Sequence, residues 1–134
     1  MSATTEMPFD EVQLAALSAL GTERVCPRGA ILVQEGDLGE QLYLVRSGRL
    51  KVYLDDADGR EFIVDMLGPG RLFGEMALED EPRSASVMTL EPSRIVAISR
   101  QRFREFLAGN PDAAWSFIAM LIRRSRDLTR NVGG

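Results

Sequence analysis

Apolar residues recur at two different spacings along the chain, and the change of spacing separates a helical start from a strand-rich middle. Residues 1–8 are mostly polar or small and predict a short tail. Between residues 11 and 20 the apolar positions lie three or four residues apart, which predicts a short helix. Asp10 is placed to cap its first turn and Gly21 to end it. We expect this helix to cover one side of a larger body.

The middle of the chain, residues 25–99, alternates short runs of β-branched and apolar residues with turn-forming residues. Six strands are predicted, over residues 30–33, 41–45, 50–54, 61–67, 84–90 and 94–98. Within Leu50–Leu54 the period is that of a strand with one buried face, and Asp58-Gly59 is a strong hairpin signal. Short strands separated by glycine at this spacing are typical of an antiparallel sandwich or barrel.

Beyond Ser99 the spacing is helical again. Ser99 can cap a first helix, and the run Gly109-Asn110-Pro111 separates it from a second, longer one. The second helix carries a stripe formed by Trp115, Ile118, Ala119, Ile122 and Ser125, and its last part contains Arg123, Arg124, Arg126 and Arg130. The pattern predicts a single, mainly β domain with flanking α-helices: tail and helix over 1–21, strands over 22–99, and two helices over 100–134.

Composition narrows the classes of function. The 134 residues carry a net charge of −4, whereas nucleic-acid-binding domains are usually basic, so we expect no nucleic acid partner for this chain. Histidine is absent, which removes the commonest general base and metal ligand, so neither an enzyme nor a metal site is expected. Cys26 is the only cysteine and favours a reducing compartment. Residues 1–10 lack a secretory signal and no apolar run reaches membrane length, so we expect a cytoplasmic protein without membrane contact.

Residues 72–85 interrupt the series of strands with residues that favour a helix. Gly74 permits a close approach of backbone to ligand, and the free amides of the short turn after it favour an anion. Arg83 then supplies a planar fork of N–H donors that suits a phosphate, and Ser84 adds a hydroxyl and an amide. Glu75 is a poor phosphate ligand but a good acceptor for a sugar hydroxyl. The segment therefore predicts a site for a phosphorylated sugar.

The runs Phe73-Gly74-Glu75-Met76-Ala77-Leu78 and Pro82-Arg83-Ser84-Ala85 resemble the phosphate-binding cassette of the cyclic nucleotide-binding domain family. That family includes the catabolite activator protein, the regulatory subunits of protein kinase A and cyclic-nucleotide-gated channels. The positions at which the family has turn glycines are occupied here by Gly36, Gly48, Gly59 and Gly70. The resemblance covers about residues 10–130. It implies a double-stranded β-helix, a jelly-roll-like β-roll with one N-terminal and two C-terminal helices. Residues 72–85 are called the cassette below.

The resemblance also implies roles for single residues of the cassette. Arg83 is expected to pair with the cyclic phosphate, and the amides of Gly74, Ala77 and Ser84 to complete its cradle. Glu75 is expected to accept the ribose 2′-hydroxyl. The ligand is then cAMP or cGMP, with no further cofactor. Serine at position 84 favours cAMP, because threonine there tends toward cGMP in this family.

The base and the final helix form the second part of the implied site. Val52 and Val64 fall on family positions that wall the base. The last helix is expected to act as a lid, with Arg123, Arg124 and Ser125 as candidates to touch the base. The apolar stripe of that helix is interpreted as core or as a seam with a second copy, so the C-terminal helices are the expected contact with a protein partner or homodimer.

One departure from the family pattern keeps alternatives open. Glu75 and Arg83 lie eight positions apart, one or two fewer than is usual in the relatives. The shortening falls at Glu79-Asp80-Glu81, where relatives often have a glycine, and three acidic residues there would repel a phosphate. The alternatives are a ligand-free fold that serves as a protein-interaction module, and a fragment of a larger transcription regulator or channel. For Glu75 and Arg83 themselves, the alternative role is a structural ion pair.

Overall fold

The computed structural model describes residues 9–133, with side chains up to residue 126. The first helix, α1 (Glu11–Ala19), begins at a capping box: the Asp10 carboxylate accepts the N–H of Gln13 at 2.8 Å, and the Gln13 side chain accepts the N–H of Asp10 at 3.0 Å. The prediction of this helix and of its cap is confirmed. Phe9, just before the cap, is buried and meets the rings of Phe103 and Phe106 edge-on, which fixes α1 against the C-terminal helices.

Eight strands form two four-stranded antiparallel sheets. The strands are β1 (Thr22–Cys26), β2 (Ile31–Val33), β3 (Gln41–Ser47), β4 (Leu50–Asp55), β5 (Glu61–Leu67), β6 (Leu72–Phe73), β7 (Ser86–Thr89) and β8 (Ser93–Ser99). One sheet has the order β1-β8-β3-β6 and the other β2-β7-β4-β5. The predicted mainly β fold with its three flanking helices is confirmed, and the four predicted turn glycines all have positive φ, between 83° and 103°.

The predicted strands differ from the observed ones in two respects. All six are present, with ends shifted by up to two residues; the largest change shortens the prediction over 84–90 to Ser86–Thr89. Two further strands were not predicted. Four of the five residues of β1 are exposed, so it lacks an apolar period, and β6 has only two residues and lies inside the cassette.

Two apolar cores hold the elements together. One lies between the two sheets and contains Cys26, Val33, Tyr43, Val45, Leu50, Leu67, Phe73, Val87, Ile95 and Ala97. The other packs the three helices on the outer face of the first sheet and contains Phe9, Leu14, Leu17, Leu42, Leu44, Leu72, Val96, Ile98, Phe103, Phe106, Ala113, Phe117 and Met120. Because β3 and β6 contribute to both cores, the first two residues of the cassette are fixed from two sides.

The two C-terminal helices are α2 (Arg100–Gly109) and α3 (Pro111–Gly133). The Ser99 hydroxyl accepts the N–H of Arg102 at 3.2 Å, so the predicted cap of α2 is confirmed. Of the two interpretations of the α3 stripe, as core or as a seam with a second copy, the core interpretation is wrong, because Trp115 is 70% and Ile122 is 59% exposed. The seam with a second copy stays a prediction. The buried face of α3 is formed by Ala113, Phe117 and Met120 instead. None of the helices described is long and apolar enough to cross a membrane.

Candidate functional site

Within the cassette, the backbone changes direction sharply at Gly74, directly after β6. Its φ of 88° and ψ of 18° lie in the left-handed region. A Cβ at this position would lie 3.0 Å from Nη1 of Arg83 and 3.3 Å from the carbonyl oxygen of Gln41. Both the left-handed conformation and the short distances to Arg83 and Gln41 therefore require glycine. The predicted helical turn follows as a 3₁₀ turn over Glu75–Glu79.

Arg83 is held by carbonyl oxygens from two neighbouring segments. Its Nη1 donates to the carbonyl of Gly74 at 2.8 Å and its Nη2 to that of Gln41 at 3.0 Å. The guanidinium lies 6.0 Å from the ring centroid of Tyr43, and a Cβ on Gly39 would come within 2.2 Å of Nη2. Arg83 is only 7% exposed. The side chain is thus fixed in one position, and two of its five N–H donors are used.

A shallow groove of about 200 Å³ is lined in part by Arg83. It runs along the loop before β3 and is lined by Leu38, Gly39, Glu40 and Tyr43 together with Arg83. Arg83 is the only predicted site residue among its lining residues. The other predicted site residues lie outside this groove, and the location of the ligand site stays a prediction.

Glu75 contacts the last helix. Its Oε1 lies 3.1 Å from Nη1 of Arg124, and Nη2 of Arg124 donates to the carbonyl of Leu72 at 2.6 Å. Both side chains of this ion pair are about one-fifth to one-quarter exposed. The alternative in which Glu75 forms a structural ion pair with Arg83 is wrong: no ion pair of Arg83 is found among the described side chains, and Glu75 is paired with α3.

The two small residues predicted for the phosphate cradle differ in availability. Ala77 is fully buried, and its N–H donates to the carbonyl of Gly74 at 3.1 Å within the 3₁₀ turn. A phosphate would have to share or replace that bond. Ser84 is exposed at the mouth of β7, so its hydroxyl is accessible to a ligand.

Two of the residues predicted for the base pocket, Val52 and Val64, lie on strands of the second sheet, outside the cassette. Val52 of β4 is partly buried and pairs with Val87, three residues beyond Ser84. Val64 lies on the edge strand β5, at the register shift between Val52 and Tyr53, and is 42% exposed. Strand β7 therefore connects the cassette to Val52. The contacts of these residues with a base stay a prediction.

Of the three α3 residues predicted to touch the base, Arg123 and Ser125 are exposed, whereas Arg124 is directed at the cassette. Arg126 is the last residue whose side chain is described, so Arg130 lies outside that range. Within the described side chains, no cluster of three acidic or cysteine residues could hold a metal ion.

Two arginines of α2 contact the cassette and were not predicted from the sequence. Arg100 donates to the carbonyl of Ala77 at 3.1 Å and pairs with Asp80. Arg104 donates to the carbonyl of Leu78 and lies 3.3 Å from Oε2 of Glu79. The sequence offered only opposite charge as a signal, arginines at 100 and 104 and an acidic run at 79–81, and opposite charge alone does not specify which residues meet.

This fold, with a left-handed glycine and a buried arginine in the segment between β6 and β7, is that of a cyclic nucleotide-binding domain. Residues 23–110 match the cyclic nucleotide-binding domain family, and the chain belongs to that family. It is 38% identical over 119 residues to the cyclic AMP receptor protein of Thermus thermophilus, which covers 88% of this chain and 54% of that protein. It is 32% identical over 128 residues to a CRP-like cAMP-activated global transcriptional regulator of Mycobacterium tuberculosis, covering 92% and 57%. The chain thus spans about half the length of these relatives.

Solved structures show the same relationship. The catabolite activator protein of Thermus thermophilus superposes with a TM-score of 0.83 at 31% identity, over 93% of this chain and 59% of that one. The regulatory domain of Toxoplasma gondii PKA, solved with cAMP, superposes with a TM-score of 0.63 at 34% identity, over 73% and 38%. These relatives are regulators or parts of regulators.

Proposed function

We propose that this chain is a cytoplasmic, non-catalytic sensor domain that binds cAMP in preference to cGMP. One observation carries the proposal: Arg83 is almost completely buried, and it has no carboxylate partner among the described residues. A buried cation without a counter-ion is unfavourable. A cyclic phosphate would supply that counter-ion and accept the remaining N–H donors of the guanidinium.

The other cassette residues suit the rest of a cyclic nucleotide. The amide of Gly74 and the hydroxyl and amide of Ser84 are proposed to complete the phosphate site, with Ala77 sharing its amide. The second carboxylate oxygen of Glu75 is proposed to accept the ribose 2′-hydroxyl, because Arg124 is paired with the first. Two relatives are named for cAMP receptor or cAMP-activated function, which supports cAMP as the ligand.

The proposed base contacts come from β4, from β5 and from the arginine-rich part of α3. Val52 and Val64 are proposed to wall the base from one side, and Arg123 and Arg124 to reach it from the other. Because Arg124 and the ribose would share the carboxylate of Glu75, bound ligand would favour the position of α3 in which this contact is made. The ligand state is then relayed as a shift in the population of α3 positions.

The partner that detects this shift is proposed to contact the exposed stripe of α3. Trp115, Ile118 and Ile122 are 70%, 42% and 59% exposed and lie on one helix face. A second copy of the chain, or another protein with an apolar face, would cover them. We propose no nucleic acid contact for this chain itself, although its longer relatives include a transcriptional regulator.

The alternative function is a ligand-free interaction module, and one observation favours it. Asp80, in the shortened part of the cassette, has a φ of 58° and is the only non-glycine residue described with positive φ. The shortened segment therefore closes at the cost of an unfavourable backbone conformation, as it would if the site had lost its ligand.

A thermal melt with cAMP, cGMP and 5′-AMP in parallel tests the proposal. A ligand at a hundred times its Kd adds about 2.7 kcal/mol of stability, which raises the midpoint by on the order of 10 °C in a domain of this size. We expect the largest shift with cAMP and none with 5′-AMP. Arg83→Met should abolish the shift, and Arg94→Met, which removes an exposed arginine paired with Glu23, should keep it. A folded protein that shifts with none of the three ligands would establish the alternative.

A further inference from the structure

Within the acidic run 79–81, Asp80 has a backbone conformation that is unusual for a residue other than glycine. Asp80 ends the 3₁₀ turn in a left-handed conformation, with φ 58° and ψ 26°. This reversal lets the N–H of Glu81 return to the carbonyl of Met76 at 3.2 Å, and it brings the N–H of Arg83 to the carbonyl of Asp37 at 2.8 Å. The position of Arg83 therefore depends on a conformation that aspartate adopts far less readily than glycine.

Arg100 of α2 contacts this reversal directly. One nitrogen, Nη1, donates to the carbonyl of Ala77 at 3.1 Å and to the carboxylate of Asp80. The other, Nη2, lies 3.7 Å from Oε1 of Glu40 in the loop before β3. The hydrogen bond with Asp80 raises the pKa of Arg100, so its charge is secure at any physiological pH. One guanidinium thus joins the turn, the reversal and the loop that carries the groove beside Arg83.

Arg104 lies one helical turn further along α2 and makes a similar pair of contacts. It donates to the carbonyl of Leu78, and its Nη2 lies 3.3 Å from Oε2 of Glu79. Together the two arginines cap carbonyl groups at the end of the 3₁₀ turn and place positive charge beside two of the three acidic residues. Such charge reduces the repulsion that the acidic run would exert on a phosphate at the cassette.

Resting on the proposed function, we propose that Arg100 and Arg104 are positioning residues for the phosphate site. They hold the shortened cassette in the conformation that a glycine would otherwise allow, and they offset the acidic charge beside the anion. The site then extends to α2, although neither residue touches the nucleotide. The contacts that carry this role join residues 20 to 26 positions apart and involve both backbone and side chains.

The experiment compares three single substitutions on the same helix. Arg100→Gln and Arg104→Gln remove the contacts with the cassette, and Arg102→Gln is the matched control, because Arg102 donates to the carbonyl of Leu20 at the end of α1. We measure the Kd for cAMP by calorimetry at two salt concentrations. The expected loss is about tenfold for Arg100→Gln, about threefold for Arg104→Gln and less than about twofold for Arg102→Gln. Equal losses in all three variants would overturn the positioning role.

A second substitution separates positioning from simple charge. Asp80→Gly places the residue that prefers a left-handed conformation at the reversal and removes the need for Arg100 there. The double variant Asp80→Gly/Arg100→Gln should recover most of the affinity that Arg100→Gln loses, and Asp80→Gly alone should bind cAMP normally. A double variant that binds as weakly as Arg100→Gln would show that the reversal is not what Arg100 supports.

Hydrogen exchange keeps this proposal distinct from the proposed function. The amides of Ala77 and Glu81 are hydrogen-bonded within the cassette without any ligand, so their protection reports its conformation alone. We expect faster exchange at both amides in Arg100→Gln and wild-type exchange in Arg102→Gln. If the wild-type chain binds no cyclic nucleotide, the proposed function fails and this comparison still decides the role of Arg100. Unchanged exchange in Arg100→Gln would refute that role.

Discussion

Two buried arginines lie twelve positions apart, and their surroundings differ in one decisive respect. Arg71 is 6% exposed and Arg83 is 7% exposed. Arg71, just before β6, has a carboxylate partner, since its Nη2 lies 3.0 Å from Oδ2 of Asp65 on β5. Arg83, just after the 3₁₀ turn, has only carbonyl oxygens within hydrogen-bond distance among the described residues. The positive charge of Arg71 therefore has a carboxylate beside it, whereas the equally buried charge of Arg83 has none among the described residues.

This difference distinguishes an arginine that stabilises the fold from an arginine that is available to bind an anion. A buried ion pair joins two elements and is strongly destabilising to break, because it leaves one charge behind. An oriented guanidinium that lacks an anion keeps an unfavourable electrostatic state, which a ligand of the right charge relieves. We therefore expect substitutions in the Arg71 region to act on stability and substitutions in the Arg83 region to act on binding.

The largest expected effect is on binding and belongs to Arg83. Arg83→Met keeps most of the volume and removes the charge, so the Kd for cAMP should rise by about a hundredfold or more, equivalent to at least about 2.7 kcal/mol. The stability of the ligand-free protein should stay within about 1 kcal/mol of wild type, because loss of an uncompensated charge offsets the two lost hydrogen bonds. Calorimetry and urea unfolding measure the two quantities. If Arg83→Met lost stability but still bound cAMP, Arg83 would be a residue that stabilises the fold and not one that binds the ligand.

The second effect is on stability and belongs to the Arg71 region. Asp65→Asn removes the carboxylate charge that lies 3.0 Å from Nη2 of Arg71, and we expect a loss of about 2 kcal/mol. This is less than for a fully buried pair, because the Asp65 side chain is 36% exposed. Glu23→Gln is the control, because its ion pair with Arg94 is exposed and should contribute less than about 0.5 kcal/mol. Urea unfolding compares the two. If Asp65→Asn lowered the free energy of cAMP binding more than the free energy of unfolding, the assignment of the Arg71 region to stability would be contradicted.

The local part of the site could be predicted from the sequence, and the reason is chemical. Gly74 and Arg83 lie nine positions apart and contact each other. The missing side chain of Gly74 leaves room for the guanidinium, which donates to the Gly74 carbonyl. The same holds for the capping residues Asp10 and Ser99, whose partners lie three positions away. Short-range chemistry of this kind leaves a recognisable spacing in the sequence.

Contacts that depend on how the helices dock could not be predicted. The pairs of Glu75 with Arg124 and of Asp80 with Arg100 join residues 49 and 20 positions apart. They form because the buried faces of α2 and α3 orient their arginines toward the cassette, and an amphipathic pattern does not specify which polar residue meets which loop. The short strand β6 was missed for a related reason, since pairing with β3, and not its own two residues, makes it a strand.

The smallest effect that we predict concerns the contact between the cassette and α3. Arg124→Gln removes a partly exposed ion pair and the hydrogen bond to the carbonyl of Leu72. Since Arg124 orients the carboxylate that is proposed to receive the ribose, cAMP affinity should fall by roughly threefold to fivefold, or about 1 kcal/mol. Hydrogen exchange in residues 111–126 should show ligand-induced protection in wild type and less in the variant.

Arg123→Gln is the matched control for this contact, because the neighbouring side chain is exposed. It should keep the wild-type exchange pattern in α3, although a small loss of affinity is expected if Arg123 reaches the base. Tighter cAMP binding by Arg124→Gln would mean that Arg124 competes with the ribose for Glu75, which is the opposite of the relay proposed above. The comparison of the two buried arginines would then still hold, since it depends on the sheets and the 3₁₀ turn, and α3 would be an inhibitory element that the nucleotide displaces.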